Sequence, residues 1–484
     1  MIARTRIAPS PTGELHIGHM RTILYDYAFA KKYNGQFIVR IEDTDRNRFV
    51  EGAADRTLQI IKDYGFSWDE GPGIGGPYEP YVQTQRLEIY KKYALELIEK
   101  GGAYYCFCTP ERLDQVRAEQ QAQHLPKTCY DKHCRNLSKE EVEKNLKDGV
   151  PYVIRIKIPA NETVVLHDAI HGDISFNTND VDDMILLKSD GIPTYHLAAM
   201  VDDHLMKITH VLRGIDWMPS SPVHVLIYKF LGWDMPIIAH LPNLKEKGSA
   251  AKLSKRQGAV AAVDFLQEGY LVEALVNFLM FVGWNPGTEK EIYTLDEFIN
   301  DFSLERIQKT DLVAFDRDKL LWFNGYYIRN LSDDVLFDKI KAWAKRFEIK
   351  LNFSGDDKID IKVVALIKER LKKFSEVNDL ISYFYSKPEV KKEMLISYTK
   401  SEERTKEILN NFYNTLEITQ KENWTRDNLE KVCHDLITKY EYSPKEAFMT
   451  LRVALSGQTA TPHIFDILEV LGREESLDRI KSAL

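Results

Sequence analysis

The N-terminal part of the chain alternates between short apolar runs and helical spacing. An apolar run at residues 4–7 leads into a turn, and a second run at 36–41 is followed by a helical segment at 52–64. A helix over 18–32 with one buried face is predicted by the spacing i, i+3, i+4 and i+7 of Met20, Ile23, Leu24 and Tyr27. Strands that alternate with helices predict a parallel sheet with right-handed crossovers, and ligands of such sheets bind at the carboxyl ends of the strands.

The pattern changes twice further along the chain. Residues 85–100 keep a helical spacing, whereas residues 150–187 alternate between apolar and polar and are rich in β-branched side chains. From residue 331 onward helical segments dominate, with one apolar stripe made of Val363, Val364, Ile367, Leu371 and Phe374. We therefore predict an α/β domain split into residues 1–83 and 193–245, an α+β insertion at 84–192, a further domain at 246–330, and an all-helical region at 331–484 in one or two subdomains.

Composition narrows the class of protein. The chain has 484 residues, of which 44% are hydrophobic and 29% charged, as is typical of a globular protein with several domains. No apolar run approaches the ~20 residues of a membrane span, and the N-terminus lacks the apolar segment of a secretory signal. We expect a cytoplasmic protein without a membrane partner. The net charge of −8 argues against binding nucleic acid through bulk electrostatics, so any RNA contact must use local basic patches.

The turn after the first strand has the chemistry of a phosphate site. Pro9 and Pro11 prevent regular strand pairing and Gly13 permits a tight reversal, so the chain turns sharply into the next helix. The helix N-terminus offers unpaired N–H groups and the positive end of its dipole. At that terminus His16 and His19 can donate hydrogen bonds to phosphate, and Gly18 leaves room for a nucleotide. The alternative is an ordinary capped helix with two surface histidines.

A second candidate phosphate segment lies far downstream, in the run Lys252-Leu253-Ser254-Lys255-Arg256. Glycines at 248 and 258 and a serine at 249 surround this run, which carries three cations in five residues. Such a run is usually a solvated face or a static linker. Together with the first segment it indicates a mobile clamp on a triphosphate.

These two segments resemble the HIGH and KMSKS motifs of class I aminoacyl-tRNA synthetases. Three further segments narrow the resemblance to bacterial glutamyl-tRNA synthetases: Pro9-Ser10-Pro11-Thr12-Gly13, Arg40-Ile41-Glu42-Asp43-Thr44-Asp45 and Val201-Asp202-Asp203-His204-Leu205-Met206. The resemblance implies a class I Rossmann-type catalytic domain, an insertion that meets the tRNA acceptor end, a stem-contact domain at 246–330 and a helical anticodon-binding region. It also implies a monomer that uses ATP with Mg²⁺ to attach L-glutamate to tRNA-Glu, or in a relaxed form to tRNA-Gln as well.

The resemblance assigns roles to individual residues. The catalytic set would be His16, His19, Lys252 and Lys255, and the ATP contacts would add Gly18, Asp216, Ser254 and Arg256. Asp216 matches an acid near the ATP ribose, although a helix cap is an alternative. The glutamate site would comprise Arg6, Ala8, Ser10, Glu42, Tyr195 and Arg213. The two arginines would bind carboxylates and Glu42 the α-ammonium group, while structural ion pairs are the alternative for each. Ala199 departs from the asparagine of some relatives, which affects detail in this pocket.

Four of the five cysteines crowd into residues 106–134. Cys106 and Cys108, with Cys134 farther along, can supply three ligands of a tetrahedral zinc ion, whereas the spacing is poor for a disulfide framework. By resemblance the fourth ligand is Tyr130, with Cys129 and His133 as rivals. We predict a structural zinc that staples the insertion, with buried free thiols as the alternative.

The residues that bind the anticodon have the least specific sequence pattern. Residues 368–373 form one candidate basic patch, in which Arg370 aligns with a residue that faces the third anticodon base, and a solvated helical surface is the alternative. Two other functions remain open at this point, a small-molecule acyl-adenylate ligase without RNA and a non-catalytic RNA-binding module. The long helical tail argues against the first, and the intact phosphate motifs argue against the second.

Overall fold

The computed structural model describes residues 2–125, 127–253 and 260–484. The chain divides into two compact units, with unit 1 formed by Met1–Phe265 and Leu275–Arg317, and unit 2 by Leu266–Ala274 and Asp318–Leu484. The division into four regions made from the sequence stays a prediction. Among the residues covered, no helix has the length and apolar character needed to cross a bilayer.

Unit 1 combines strands and helices. Its strands are β1 (Arg4–Ile7), β2 (Gln36–Val39), β3 (Ala103–Cys106), β4 (Val153–Ile156), β5 (Thr163–Asp168), β6 (Gly172–Asn177), β7 (Ile185–Leu187), β8 (His210–Gly214), β9 (Ile237–Leu241), β10 (Asn243–Glu246) and β11 (Leu312–Phe315). Its helices are α1 (Ile17–Lys32), α2 (Ala53–Asp63), α3 (Leu87–Glu99), α4 (Pro110–Ala122), α5 (Lys139–Lys147), α6 (Tyr195–Leu205), α7 (Ser221–Leu231), α8 (Ala262–Gln267), α9 (Val272–Met280) and α10 (Leu295–Asp301), of which α8 and α9 also contain residues of unit 2.

Parallel pairing brings the carboxyl ends of distant strands to one edge. β1 pairs in parallel with β2, β8 pairs in parallel with β9, and backbone and side-chain hydrogen bonds between Arg4 and Thr209 join β1 to the start of β8. Ligands of parallel sheets lie beyond these carboxyl ends. The loops after β1, β2 and β8 carry Ser10, Glu42 and Asp216, so the predicted site residues share one edge.

Helix α1 is buried more completely than its spacing predicts. Tyr25 is fully buried, its ring lies 4.9 Å from that of Phe302, and its hydroxyl donates to the carbonyls of Met280 and Val282. Tyr27, which the spacing places on the buried face, is only half-buried. The single-face prediction was wrong because α1 packs against β1 and β2 on one side and α10 on another.

The predicted insertion forms sheets of two kinds. β3, β4 and β7 pair antiparallel, whereas the antiparallel hairpin β5–β6 joins the strand pair β8–β9 through a parallel contact of Asp168 with Ile238. β5 alternates exposed and buried residues as the sequence predicts for a half-buried strand. One strand of the insertion therefore extends the sheet whose edge carries the site.

Unit 2 is helical, as predicted. It comprises α11 (Arg317–Arg329), which begins at the last residue of unit 1, and α12 (Asp333–Arg346), α13 (Asp357–Ile367), α14 (Val377–Tyr385), α15 (Lys392–Ile396), α16 (Glu402–Glu417), α17 (Arg426–Lys439), α18 (Pro444–Ser456) and α19 (Ile464–Ser482). The stripe predicted on one helix is divided, since α13 ends at Ile367 while Leu371 and Phe374 are buried beyond it. Phe374 instead donates its backbone N–H to the carbonyl of Gly269.

Candidate active site

The two predicted phosphate segments converge around the start of α1. The backbone N–H of Ile17 donates to the carbonyl of Val260, and Leu253 donates to the carbonyl of Leu244, at 2.8 and 2.7 Å. A Cβ added to Gly18 would lie 3.5 Å from Leu244 Cδ1. Both ends of the downstream loop are thus fixed beside the first motif. Ser254, Lys255 and Arg256 themselves lie outside the described residues.

One of the unpaired backbone N–H groups at the start of α1 is capped by the side chain of His16. His16 is the N-cap residue, and its Nδ1 accepts the backbone N–H of Gly18 at 3.0 Å, so this donor is occupied. His19 is exposed, yet desolvation by the surrounding protein and the positive charge of Lys252 both lower its pKa. A neutral His19 can donate only one hydrogen bond to a phosphate.

Lys252 forms an ion pair with Asp216, the residue that the resemblance assigns to the ATP ribose. Asn243 also donates to Asp216, at 2.6 Å, and both Lys252 and Asp216 are exposed. Burial raises the pKa of Asp216, but hydrogen bonds from Lys252 and Asn243 outweigh it and hold that pKa below its ordinary value. The pair joins the loop after β8 to the downstream phosphate segment.

The candidate glutamate residues Arg6 and Glu42 belong to a buried chain of alternating charges. Arg6 Nε donates to Asp203 Oδ1 at 3.1 Å, Arg40 Nη1 donates to the same oxygen at 2.7 Å, and Arg40 Nη2 donates to Glu42 Oε1 at 2.9 Å. Burial raises the pKa of Glu42, and Arg40 opposes that rise. Burial also raises the pKa of Asp203, but Arg6 and Arg40 outweigh it and keep the pKa below its ordinary value.

A second buried carboxylate extends this chain. Asp202 accepts hydrogen bonds from Arg86 Nε at 2.8 Å, Tyr90 Oη at 2.8 Å and Gln83 Nε2 at 3.0 Å. Sequence reasoning assigned no role to Arg40 or to any of these residues. A signal was present, because Arg40 directly follows the apolar strand β2 and Asp202 follows an apolar stretch of α6. A charge at the end of a buried apolar run needs a partner.

Arg213, the second candidate arginine, is surrounded by neutral acceptors instead. Its Nε donates to His240 Nε2 at 3.0 Å, its Nη2 to Ser221 Oγ at 3.0 Å, and its Nη1 lies 3.2 Å from both Tyr195 Oη and His224 Nδ1. Among the described residues no carboxylate lies within ion-pair distance of this guanidinium, although its residue is only 6% exposed. Arg6 is neutralised within the protein, whereas Arg213 is not.

The remaining candidate glutamate residues differ in exposure. Ser10 is exposed, Ala8 is half-buried, and Tyr195 lies half-buried with its ring 4.1 Å from that of Trp217. Ala199 is fully buried within an apolar cluster. A methyl group there provides no hydrogen bond to a ligand.

The cysteine segment forms a compact cluster of potential metal ligands. The sulfur atoms of Cys106, Cys108 and Cys134 all lie within 4.8 Å of one another. Tyr130 Oη lies 3.3 Å from Cys106 Sγ and 3.4 Å from Cys108 Sγ. Of the two rival ligands, His133 is exposed and the backbone of Cys129 is bound by Gln120.

The surroundings of the cluster favour one thiolate, that of Cys106. A hydrogen bond with Cys134 lowers the pKa of Cys106 to about 4 and raises that of Cys134. The guanidinium of Arg155 lies 4.0 Å from the centre of the Tyr130 ring, and Arg112 Nη1 approaches Cys108 Sγ at 3.5 Å. Thiolates are the form that binds zinc.

The candidate anticodon patch is not helical. It follows the end of α13, and Lys368 and Lys373 pair with Asp333 and Glu268 within unit 2. Arg370 is exposed and donates a hydrogen bond to the carbonyl of Thr461.

Comparisons with known proteins cover the whole chain. Residues 3–322 match the family model described as the catalytic domain of class I tRNA synthetases (E and Q), and residues 336–484 match an anticodon-binding domain. A glutamate-tRNA ligase of Clostridium botulinum is 45% identical over 99% of this chain and 97% of its own length. One from Clostridioides difficile is 43% identical over 99% and 98%. The crystal structure of an Elizabethkingia meningosepticum glutamate tRNA ligase in complex with its amino acid has a TM-score of 0.89 and 36% identity, covering 100% of this chain and 99% of that one.

We expect the substitution Asp203→Asn to destabilise unit 1. It removes the carboxylate that neutralises Arg6 and Arg40, and breaking a buried ion pair from one side typically costs about 3–5 kcal/mol. Urea unfolding followed by tryptophan fluorescence measures the change. The control Asp114→Asn removes an exposed pair with Arg117 and should unfold like the native protein. Equal stability of the Asp203 variant would show that the network is not neutralised through this residue.

Proposed function

The chain belongs to the glutamate-tRNA ligases of the class I aminoacyl-tRNA synthetases, and from that membership we propose how its residues carry out the reaction. It attaches L-glutamate to tRNA in an ATP-dependent reaction. In the first step an oxygen of the glutamate α-carboxylate attacks the ATP α-phosphorus, and pyrophosphate leaves. In the second step a terminal ribose hydroxyl of tRNA attacks the acyl carbon, and AMP leaves with the bonding electron pair.

The ATP site lies where the two phosphate segments meet beside α1. The observation that carries this proposal is the pairing of Ile17 with Val260 and of Leu253 with Leu244, which holds both ends of the downstream loop at the first motif. His16, Gly18 and His19 would contact phosphates, while Lys252, Ser254, Lys255 and Arg256 would offset the charge of the leaving pyrophosphate, together with Mg²⁺ bound to the nucleotide. Asp216 would bind the ribose and release Lys252 to the phosphates as ATP enters.

The glutamate site lies between the two differently neutralised arginines. Glu42 would accept the α-ammonium group, and Ser10, Ala8 and Tyr195 would line the pocket. The α-carboxylate loses its charge when the adenylate forms, whereas the side-chain carboxylate stays ionised through both steps. Among the described residues Arg213 has no carboxylate as a partner, so it is the better site for the carboxylate whose charge persists. Arg6, already paired with Asp203, would orient the reacting α-carboxylate.

We also propose the partner, the oligomeric state and the cell compartment. The acceptor is tRNA-Glu, bound through its acceptor end by the insertion and through its anticodon by the helical region, where Arg370 is one candidate contact. We propose a cytoplasmic monomer. A relaxed form of the same enzyme would also charge tRNA-Gln.

A structural zinc fits the cysteine cluster. The cluster offers four potential zinc ligands, which is the number that a tetrahedral zinc ion needs. They are three sulfur atoms within 4.8 Å of one another and a phenol oxygen beside two of them. Arg112 and Arg155 would offset the negative charge of the thiolates. Bound zinc would hold the strand β3 to the loop that follows α4. We therefore propose Cys106, Cys108, Tyr130 and Cys134 as its ligands.

Parallel charging reactions test the activity itself. With labelled glutamate and ATP we expect acylation of purified tRNA-Glu, and none when ATP is omitted. Acylation of tRNA-Gln in the parallel reaction would identify the relaxed form. A failure to charge either tRNA would contradict the proposed function.

The variants His19→Ala and Lys255→Ala test the ATP site. Each removes a donor to phosphate, so we expect the rate of adenylate formation to fall about 10²-fold with tRNA affinity little changed. Single-turnover charging at saturating tRNA and a tRNA binding titration separate the two quantities. The control Lys290→Ala removes an exposed lysine paired with Glu297 and should leave both unchanged. A native rate in either test variant would remove that residue from the site.

Metal analysis tests the zinc proposal. We expect about one zinc per chain in freshly purified protein and a loss of zinc in Cys106→Ser. Tyr130→Phe should weaken zinc retention against a chelator, whereas Cys129→Ser and His133→Ala should not. Cys433→Ser removes a buried cysteine of unit 2 and serves as the control. Zinc-free native protein would reject the site.

A further inference from the structure

We propose that Asp168 is a positioning residue for the substrate carboxylate, acting on Arg213 through the imidazole of His240. The inference rests on the proposed function, in which Arg213 binds that carboxylate. Asp168 ends β5, His240 lies on β9 and Arg213 on β8, so the three residues come from neighbouring strands of one sheet. Arg213 and His240 are register partners on the parallel pair of β8 and β9, so their side chains lie side by side on the same face of the sheet.

Every hydrogen bond of the Asp168 carboxylate to the part of the chain that the structure describes is to a donor. Its Oδ1 accepts the backbone N–H groups of Ile170 and His171, each at 2.9 Å. Its Oδ2 accepts the backbone N–H of His240 at 3.1 Å and the ring Nδ1 of the same residue at 2.7 Å. The carboxylate has no proton to offer, so the ring of His240 must carry its proton on Nδ1.

The position of this proton decides what His240 presents to Arg213. With the proton on Nδ1, Nε2 has a free lone pair, and Arg213 Nε donates to it at 3.0 Å. A guanidinium can only donate, so the opposite tautomer would set two N–H groups against each other. Asp168 therefore selects the tautomer that holds Arg213, although the two residues are not in contact.

On its other side, too, the guanidinium of Arg213 donates to an imidazole nitrogen that must accept. Arg213 Nη1 lies 3.2 Å from His224 Nδ1, which must accept because the guanidinium cannot. The proton of His224 is then on Nε2, 3.1 Å from His196 Nδ1, which accepts it in turn. Two histidine rings accept hydrogen bonds from the guanidinium, and the hydroxyls of Ser221 and Tyr195 are further acceptors.

Neutral acceptors preserve the charge that the substrate needs. Burial and the positive charge of Arg213 lower the pKa values of both His224 and His240. For His240 they outweigh the opposing effect of Asp168, so both rings remain neutral beside the guanidinium. Had the chain placed a carboxylate here, as it does for Arg6, the substrate would have to displace it. The cavity bordering Arg213, Ser221 and His224 measures about 10 Å³, too small for an anion with its own shell of water. Through this cavity a hydrated anion cannot reach the guanidinium.

The variant Asp168→Asn tests the inference. Its amide oxygen replaces Oδ1 beside the two backbone donors, which sets the NH₂ group against the backbone N–H of His240 as well as its ring Nδ1. Nδ1 can then only accept, and the ring proton moves to Nε2. We expect the KM for glutamate to rise about tenfold, with the KM for ATP and the zinc content unchanged. An unchanged KM for glutamate in a folded variant would overturn the proposal.

A second substitution separates positioning from loss of structure. In His240→Gln the side-chain oxygen has the reach of Nε2 and accepts from Arg213 without choosing a tautomer. We expect Asp168→Asn to raise the KM for glutamate in the native background but by less than about twofold in the His240→Gln background. Equal effects in both backgrounds would show that Asp168 does not act through His240 and would overturn the inference.

Two measurements keep this test distinct from that of the proposed function. Arg213→Gln should raise the KM for glutamate at least about 10²-fold, and a native KM there would refute the carboxylate role itself rather than the relay. In the native enzyme, ¹⁵N resonances of labelled histidine, assigned with His240→Gln, should show His240 protonated on Nδ1. Protonation on Nε2 would overturn the inference even if Asp168→Asn fails to fold.

Discussion

Burial of charge at the carboxyl edge of the parallel sheet is the constraint on which the site depends. Arg6, Arg40, Glu42 and Asp203 are each at most 6% exposed, and an isolated charge at such depth would be strongly unfavourable. Mutual neutralisation makes their burial possible only when β1, the end of β2 and helix α6 are docked together. Segments more than a hundred residues apart in sequence are thereby tied to one geometry, and the site is assembled as the sheet edge closes.

The same edge contains Arg213, which, unlike Arg6, is not paired with a carboxylate among the described residues. Arg213 receives imidazole and hydroxyl acceptors that satisfy its hydrogen bonds without cancelling its charge. An amino acid with an ionised side chain restores neutrality, whereas glutamine, of nearly the same shape, brings only a dipole and leaves the guanidinium uncompensated. On the proposed role of Arg213, selectivity for an acidic substrate would depend on the lack of a paired carboxylate among the described residues as much as on the acceptors that surround the guanidinium.

Local patterns in the sequence predict the parts of this molecule that local forces determine. Strand and helix order around the first motif, the half-buried alternation of β5 and the helical C-terminal region follow from periodicity. The hydrogen-bond partners of Asp203 and Asp202 could not be predicted, because they lie 112 to 197 positions away in the sequence. These partners are Tyr90, Arg86, Gln83, Arg40 and Arg6. The burial of α1 on more than one face could not be predicted for the same reason, since α10 covers a face that no local spacing marks.

On the proposed relay, the predicted insertion would contribute to amino-acid recognition as well as to tRNA binding. β5 belongs to it, yet β5 bonds in parallel to β9 and delivers Asp168 behind His240. Asp168 is 5% exposed and its acceptor capacity is filled by the turn that it begins and by β9, so it can reach no ligand directly. Its effect on the substrate must pass through the tautomer of a neighbour, as it does where a buried carboxylate fixes the proton of a catalytic histidine. Because Asp168 lies on a strand of the insertion, Arg213 would be oriented correctly only when the insertion is docked correctly. The hydrogen bonds from His240 to Asp168 and from Arg213 to His240 would thus couple the insertion to the glutamate site.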